Sequence, residues 1–368
     1  MNKSTIICAI LLAAASLVSY AATGSKPNAH NTTTVDSSFA SDAKVRDLAL
    51  IYQGGAHRID WTEEQFEPYV THKFADGTED WTFDGYLFLE FKDGRGAQLS
   101  PGYDSINATR TVWEWYLDRI FEPNKSLDAL NKVIGKKKKE IGDPGFKHKV
   151  ALTAIVPLSG QTDWGKLKGK ALDFNKTKDQ IAAMKWFIDQ LTERFKAGNY
   201  ENLDLYGIYW IDEDMVHTND FPQKINKYIH SKGLDFLWIP YFKAPGTERW
   251  KKLGFDIAYQ QPNHFFHPEI PDSRLDDAVN IALANNMGME FECDERALSQ
   301  AENSFNSRMD AYITAYERLG VFDKSPLAYY TGNHLFLDML KNPSPENQAI
   351  MDRLARHIIN RRKYGLKK

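Results

Sequence analysis

Strand-like and helix-like segments alternate eight times along this chain, and that alternation limits its fold more than any single motif does. The strand-like runs are Leu48–Gln53, Gly85–Phe91, Lys149–Leu158, Leu203–Ile211, Leu234–Phe242, Phe255–Gln260, Met287–Cys293 and Leu327–Tyr330. They are short, rich in β-branched and aromatic residues, and bounded by turn formers. Between and after them fall helical patterns at Trp61–Phe74, Thr111–Phe121, Leu127–Ile141, Thr177–Ala197, Asp220–Ser231, Gly246–Lys252, Ser273–Asn286, Ala301–Leu319 and Ser344–Arg361. There is no block of strands alone and no repeat of the first half. Sustained alternation predicts a parallel sheet covered by helices. Eight units over about 320 residues predict a single α/β domain, a (β/α)8 TIM barrel spanning 46–368. An open doubly wound sheet would call for a glycine-rich phosphate turn after its first strand. Gln53-Gly54-Gly55-Ala56 lacks the G-x-G-x-x-G spacing, which argues against a dinucleotide site.

The start of the chain reads as a targeting segment. Lys3 is followed by the apolar run Ile6–Val18 and by the small residues of Ser19-Tyr20-Ala21, so 1–22 is expected to be a signal peptide. A polar tract follows, and 23–45 is expected to be a flexible leader. The chain is then an exported one, destined for the periplasm or outer surface of a Gram-negative bacterium. It has two cysteines, and if Cys8 leaves with the signal only Cys293 remains, so no intramolecular disulfide can form. Cys293 lies in a strand and is expected as a small buried apolar residue. No segment beyond the signal is apolar enough to span a membrane. A net charge of −3 excludes a general affinity for nucleic acid or anionic membranes, and the run Lys136–Lys139 reads as a solvated helix face.

In a barrel the C-terminal strand ends share one mouth, so the residues there form a functional list. The second strand contributes Glu90, the fourth Asp212-Glu213-Asp214, the fifth Tyr241, and the sixth Gln261 and Asn263. On the seventh, Met289, Phe291 and Cys293 alternate with Glu290, Glu292 and Asp294, which turns the acids toward the barrel interior. Acids, amides and aromatic rings together suit the binding of hydroxyl groups. Two carboxyls across an opening suit glycosidic bond cleavage, where one protonates the leaving oxygen and the other attacks the anomeric carbon or activates water. Plainer roles exist for the same residues. Glu290 and Glu292 could neutralise Arg296, Lys243 or a bound cation, and Asp212–Asp214 could hold Ca²⁺, although no regular ligand spacing follows them. The histidines are scattered without a zinc spacing, and Ser159-Gly160 is no nucleophile elbow. No cofactor and no metal are therefore expected. Aromatic residues make up 13% of the chain. Trp61, Trp81, Trp113, Trp164 and Trp250 are expected mainly to pack, with one or two left as sugar platforms.

Glu213 after the fourth strand and Glu292 near the end of the seventh resemble the clan of retaining (β/α)8 glycoside hydrolases. That resemblance is architectural and covers the barrel. It implies Glu213 as acid/base and Glu292 as nucleophile, with Asp212 standing where the clan usually has Asn. The stretches YWIDED, FDIAYQQPN and GMEFECDE are similar to a family of secreted bacterial proteins known only as a domain of unknown function and common in glycan-degrading bacteria. This second resemblance implies a polysaccharide context and supplies no mechanism. The resulting expectation is an exported, retaining glycoside hydrolase with a carbohydrate substrate. Glu213 would have its pKa raised by Asp212 and Asp214, and Glu90, Asp212, Tyr241, Gln261, Asn263 and Glu290 would contact sugar. The alternatives are a secreted glycan-binding protein without turnover on the same barrel, and an inverting hydrolase that uses Glu90 or Glu290.

Overall fold

A computed structural model describes residues 38–366. The expected signal peptide and all but the end of the expected leader lie outside the described residues. Eight parallel strands close into a ring. They are β1 Asp47–Tyr52, β2 Gly85–Leu89, β3 His148–Ala154, β4 Leu203–Trp210, β5 Asp235–Trp238, β6 Ile257–Gln260, β7 Gly288–Cys293 and β8 Leu327–Thr331. Each pairs with its sequence neighbours, and β1 pairs with β8 to complete the barrel. The helices are α1 Glu63–Val70, α2 Arg110–Ile120, α3 Ser126–Ile141, α4 Thr177–Gly198, α5 Phe221–Ser231, α6 Ser273–Asn285, α7 Asn306–Arg318, α8 Val321–Lys324, α9 Leu335–Lys341 and α10 Pro345–Tyr364. None of them is long and apolar enough to cross a membrane.

Register decides which side chains enter the barrel, because residues paired across parallel strands share a face. Tyr209 pairs with Thr153 on one side and Leu237 on the other, Leu237 pairs with Ile257, and Tyr259 pairs with Gly288. Glu290 pairs with Ala328 and Glu292 with Tyr330. The inward face of β7 is therefore Gly288, Glu290 and Glu292, while Met289, Phe291 and Cys293 pack outward and are fully buried. Gly288 is required low in the barrel. A Cβ there would stand 2.7 Å from Tyr259 Cδ1 and 2.8 Å from the Pro326 carbonyl.

Several expectations need correction. The end of the leader is not flexible. Phe39, Ala40 and Val45 are buried, the Ala40 N–H bonds the Met287 carbonyl, and Asn286 Nδ2 bonds Ser38 and Phe39 carbonyls, so 38–45 packs as part of the domain. The first helix stops at Val70, where Thr71–Lys73 instead forms a hairpin with Glu79–Trp81. The helix expected at Gly246–Lys252 is one 3-10 turn, Thr247–Arg249. The short α8 and α9 were absent from the sequence pattern. Trp61, Trp81, Trp113, Trp164 and Trp250 are all buried, so none of these five offers a sugar platform. Cys293 is buried and free, as expected.

Candidate active site

β4 ends at Trp210 because the next residues carry the chain out of the ring and into the acidic turn. Period two continues briefly: Tyr209 and Ile211 face in, Asp212 turns away, and Glu213 returns to the mouth. Glu213 Oε1 accepts from Gln261 Nε2 at 2.6 Å, and Oε2 accepts from the Tyr103 hydroxyl at 2.7 Å. Gln261 is itself fixed, donating also to the Ile239 carbonyl at 3.0 Å and accepting from Asn263 Nδ2 at 3.0 Å. Asn263 Nδ2 reaches Glu292 Oε1 at 3.5 Å. Its own φ of 48° is left-handed, which Asn tolerates, and its Oδ1 accepts from the Phe242 N–H at 2.6 Å. Glu213, Gln261, Asn263 and Glu292 are thus joined in one run of hydrogen bonds across β4, β6 and β7.

Glu292 is 2% exposed and well supplied with donors. Its Oε2 accepts from the His264 N–H at 3.2 Å and from the hydroxyl of Tyr312 on α7. Burial pushes its carboxyl up to about 7, against the downward pull of those two donors. Glu290, one inward step lower on β7, is also raised well above the usual range, by burial first, then by Glu292 and Glu213. Glu213 is raised as well, and here the expected cause needs correction. Burial is the largest influence, Tyr103 and Gln261 pull back, and Asp214 adds only the smallest push.

The other expected residues divide. Tyr241 donates to Asp214 Oδ2 at 3.0 Å, beside Glu213 rather than between the two glutamates. Asp212 is buried and accepts from Thr218 Oγ1 at 3.0 Å, outside the run that joins the two glutamates; burial and then Asp214 bring its carboxyl to about 7. Glu90 is fully buried under Arg58, which donates to it from Nε at 2.8 Å and from a terminal nitrogen at 3.2 Å. Arg58 also reaches Asn333 Oδ1 at 2.9 Å and covers the Tyr52 ring, tying β1, β2 and β8 together at the rim. Arg296 is held by Asp294 at 2.7 Å, and Lys243 lies over the Phe242 ring. Among the described residues, Glu290 and Glu292 have no ion pair with either one.

The sequence of residues 47–356 matches the model of a domain of unknown function, DUF4855. The chain belongs to that family. No curated protein matches the sequence. Among solved structures, the tryptophan synthase α-subunit of the hyperthermophile Pyrococcus furiosus shares 8% identity at a TM-score of 0.37, over 84% of this chain and 96% of that one. A tryptophan synthase chain from M. tuberculosis shares 9% identity at 0.39, over 85% and 92%. Rubisco from Pyrococcus horikoshii OT3 shares 10% at 0.38, over 89% and 62%. At this level the likenesses carry no argument about chemistry, and the DUF4855 barrel rests on its own strand pairing.

Two partners in this DUF4855 site were missed by sequence reasoning. Tyr103 arrives from the loop between β2 and α2, stacked on Phe91 with ring centroids 4.1 Å apart. Tyr312 comes from α7, behind β7. Strand-end reading cannot see either one, since one lies in an irregular loop and the other on a helix. A second polar gathering, Glu295, His334 and Asp338, places one ligand atom from each within 4.8 Å of the others. It could hold a metal ion. Glu295 Oε1 accepts the Asn333 and His334 N–H groups, while His334 Nδ1, 3.3 Å from Asp338 and 3.7 Å from Glu295, makes no hydrogen bond among the described residues.

Proposed function

We propose that this chain is an exported glycoside hydrolase acting with retention, with Glu213 as acid/base and Glu292 as nucleophile. The observation that carries the reading is the hydrogen-bonded run from Glu213 through Gln261 and Asn263 to Glu292 at one barrel mouth. Retention divides labour between a carboxyl that starts protonated and one that starts ionised. Glu213 suits the first role. It is raised by burial, and the Tyr103 hydroxyl can reverse and accept its proton. Glu292 suits the second. It accepts from three donors, the Tyr312 hydroxyl, the His264 N–H and Asn263 Nδ2, one more than Glu213 has, and each favours its anion against the burial that holds its carboxyl near 7. Tyr241, Gln261, Asn263 and Glu290 would contact the sugar, and Glu90 would shape the rim through Arg58.

The test is incubation with a panel of plant, fungal and bacterial polysaccharides, with products followed by NMR at the anomeric proton. The expected first product keeps the anomeric configuration of the bond that was cut. Glu213→Gln is expected to lower kcat about 10²–10⁴-fold. Glu292→Gln is expected to abolish turnover with the fold intact. Full activity in Glu292→Gln would remove that residue from the mechanism, and binding without products would favour the glycan-binding alternative.

A further inference from the structure

The buried carboxylates of this protein follow a rule, and the mouth breaks it. Asp47 has Arg361 at 2.8 Å, Glu90 has Arg58 at 2.8 Å, Asp93 has Arg95 at 3.3 Å and Asp179 has Lys170 at 3.3 Å. Among the described residues, the buried acids that lack any such cation are Asp212, Glu290 and Glu292. Asp212 at least accepts from Thr218, and Glu292 accepts from Tyr312, His264 and Asn263. Glu290 has neither a cation nor a hydrogen-bond donor on its carboxyl among the described residues. It is 3% exposed, it points into the barrel, and the charged groups that act on it are Glu292 and Glu213. A buried acid left so is costly unless something that binds there completes it.

The retaining mechanism uses two carboxyls and gives Glu290 no step in the bond cleavage, only a contact with the sugar. We infer that Glu290, with Glu213 and Glu292 beside it, receives a protonated amine on the substrate, so that the preferred glycan carries a free, deacetylated amino sugar. This rests on the hydrolase reading above and names its substrate class. An ammonium brings three donors and a positive charge to acceptors that have no cation of their own. A divalent ion fits less well. It needs its oxygens at roughly 2.0–2.6 Å. The three glutamates do not form a group with ligand atoms within 4.8 Å of one another, so the ammonium is held by Glu290 with one neighbouring glutamate at a time rather than by all three. Two acceptors meet an ammonium's need and fall short of a multiply coordinated ion's. The phenols around Glu290 come from β1, β4, β8 and α7: Tyr52, Tyr209, Tyr330, Tyr312 and Tyr316 all carry its influence. They add acceptors and apolar ring faces and bring no positive charge.

The test is isothermal titration of the full chain at pH 7, in a buffer free of amines. The probes are tetramers of β-1,4-linked glucosamine, N-acetylglucosamine and glucose, with galactosamine and galactose alongside to cover the other ring configuration. At least one amine probe is expected to bind about tenfold more tightly than its neutral counterpart. Glu290→Gln should erase that preference, and Glu290→Asp, which keeps an ionisable carboxyl, should retain part of it. The inference is overturned if no amine probe binds more tightly than its neutral partner, or if the preference survives Glu290→Gln. The two readings fail separately. Cleavage of neutral glycans with no amine preference sinks this one and leaves the hydrolase standing. Amine binding through Glu290 with no glycan cut does the reverse.

Discussion

Glu292 is asked to be an anion in a place where burial holds its carboxyl near 7. For the proposed nucleophile the sign is direct. The protonated form is inactive, so kcat/KM should climb as pH rises toward about 7. Tyr312 favours the anion, so Tyr312→Phe should move the rising limb upward by about one pH unit, read from a pH–rate profile. A limb that stays in place would separate Tyr312 from the ionisation of Glu292. Asp212 gives a stability counterpart. Its folded pKa of about 7 lies above the 3.8 of a free aspartate, so the folded state holds the proton more tightly. Stability is then fullest below about 4 and declines as pH rises to about 7. Asp212→Asn should escape that decline and gain, relative to the parent, on the order of a few kcal/mol between pH 4 and 8 in thermal melts. At this scale the sequence disclosed Glu213, Gln261, Asn263 and Glu292, because each follows or ends a strand. Asp212 bonds Thr218 and takes no part in the run that joins those four, since one step of alternation turns a side chain to the other face.

β7 and the elements behind it are where local pattern and packing agree best. The run GMEFEC alternates cleanly, and the alternation survives folding without a bulge. Its weak point is Gly288, where neighbouring atoms leave no room for a side chain. Gly288→Ala should destabilise the protein by about 1–3 kcal/mol, measured by denaturant unfolding. It should also disturb Glu290 and Glu292 on the same face, so activity per folded molecule should fall too. Unchanged stability would show that Tyr259 can step aside. Strands were legible because burial on both faces gives continuous apolar runs. The loops were not. Tyr103 meets Glu213 across 110 positions of sequence, and nothing local to either marks the meeting. Short helices such as α8 and α9 carry too few turns to show a period.

At the scale of the whole molecule the barrel must be closed, and the closure is made at the end opposite the mouth. Eightfold alternation made the ring predictable; the clasp that seals it was not, because it joins Asp47 at the start of β1 to Arg361 near the end of α10. Arg361 is 3% exposed and donates from Nε to Asp47 Oδ1 at 2.8 Å. Its terminal nitrogens serve the carbonyls of Arg46 at 3.0 Å, Ser325 at 2.6 Å and Phe322. Tyr329 of β8 donates to the same Asp47 oxygen at 2.7 Å. The seam between the first and last strands is thus held by one arginine on the closing helix. Arg361→Met would leave Asp47 buried without its cation and several carbonyls without donors. The expected loss is about 3–5 kcal/mol of unfolding free energy, measured by denaturant titration. Asp47→Asn combined with Arg361→Met should recover part of it, since the stranded charge is then gone while the carbonyls stay unserved. Because the clasp lies at the start of β1 and the glutamates at the far end of β4 and β7, the surviving folded fraction should keep the proposed glycan binding and hydrolysis at the parent's level. A barrel that tolerates Arg361→Met with a loss below about 1 kcal/mol would show that strand pairing alone closes it.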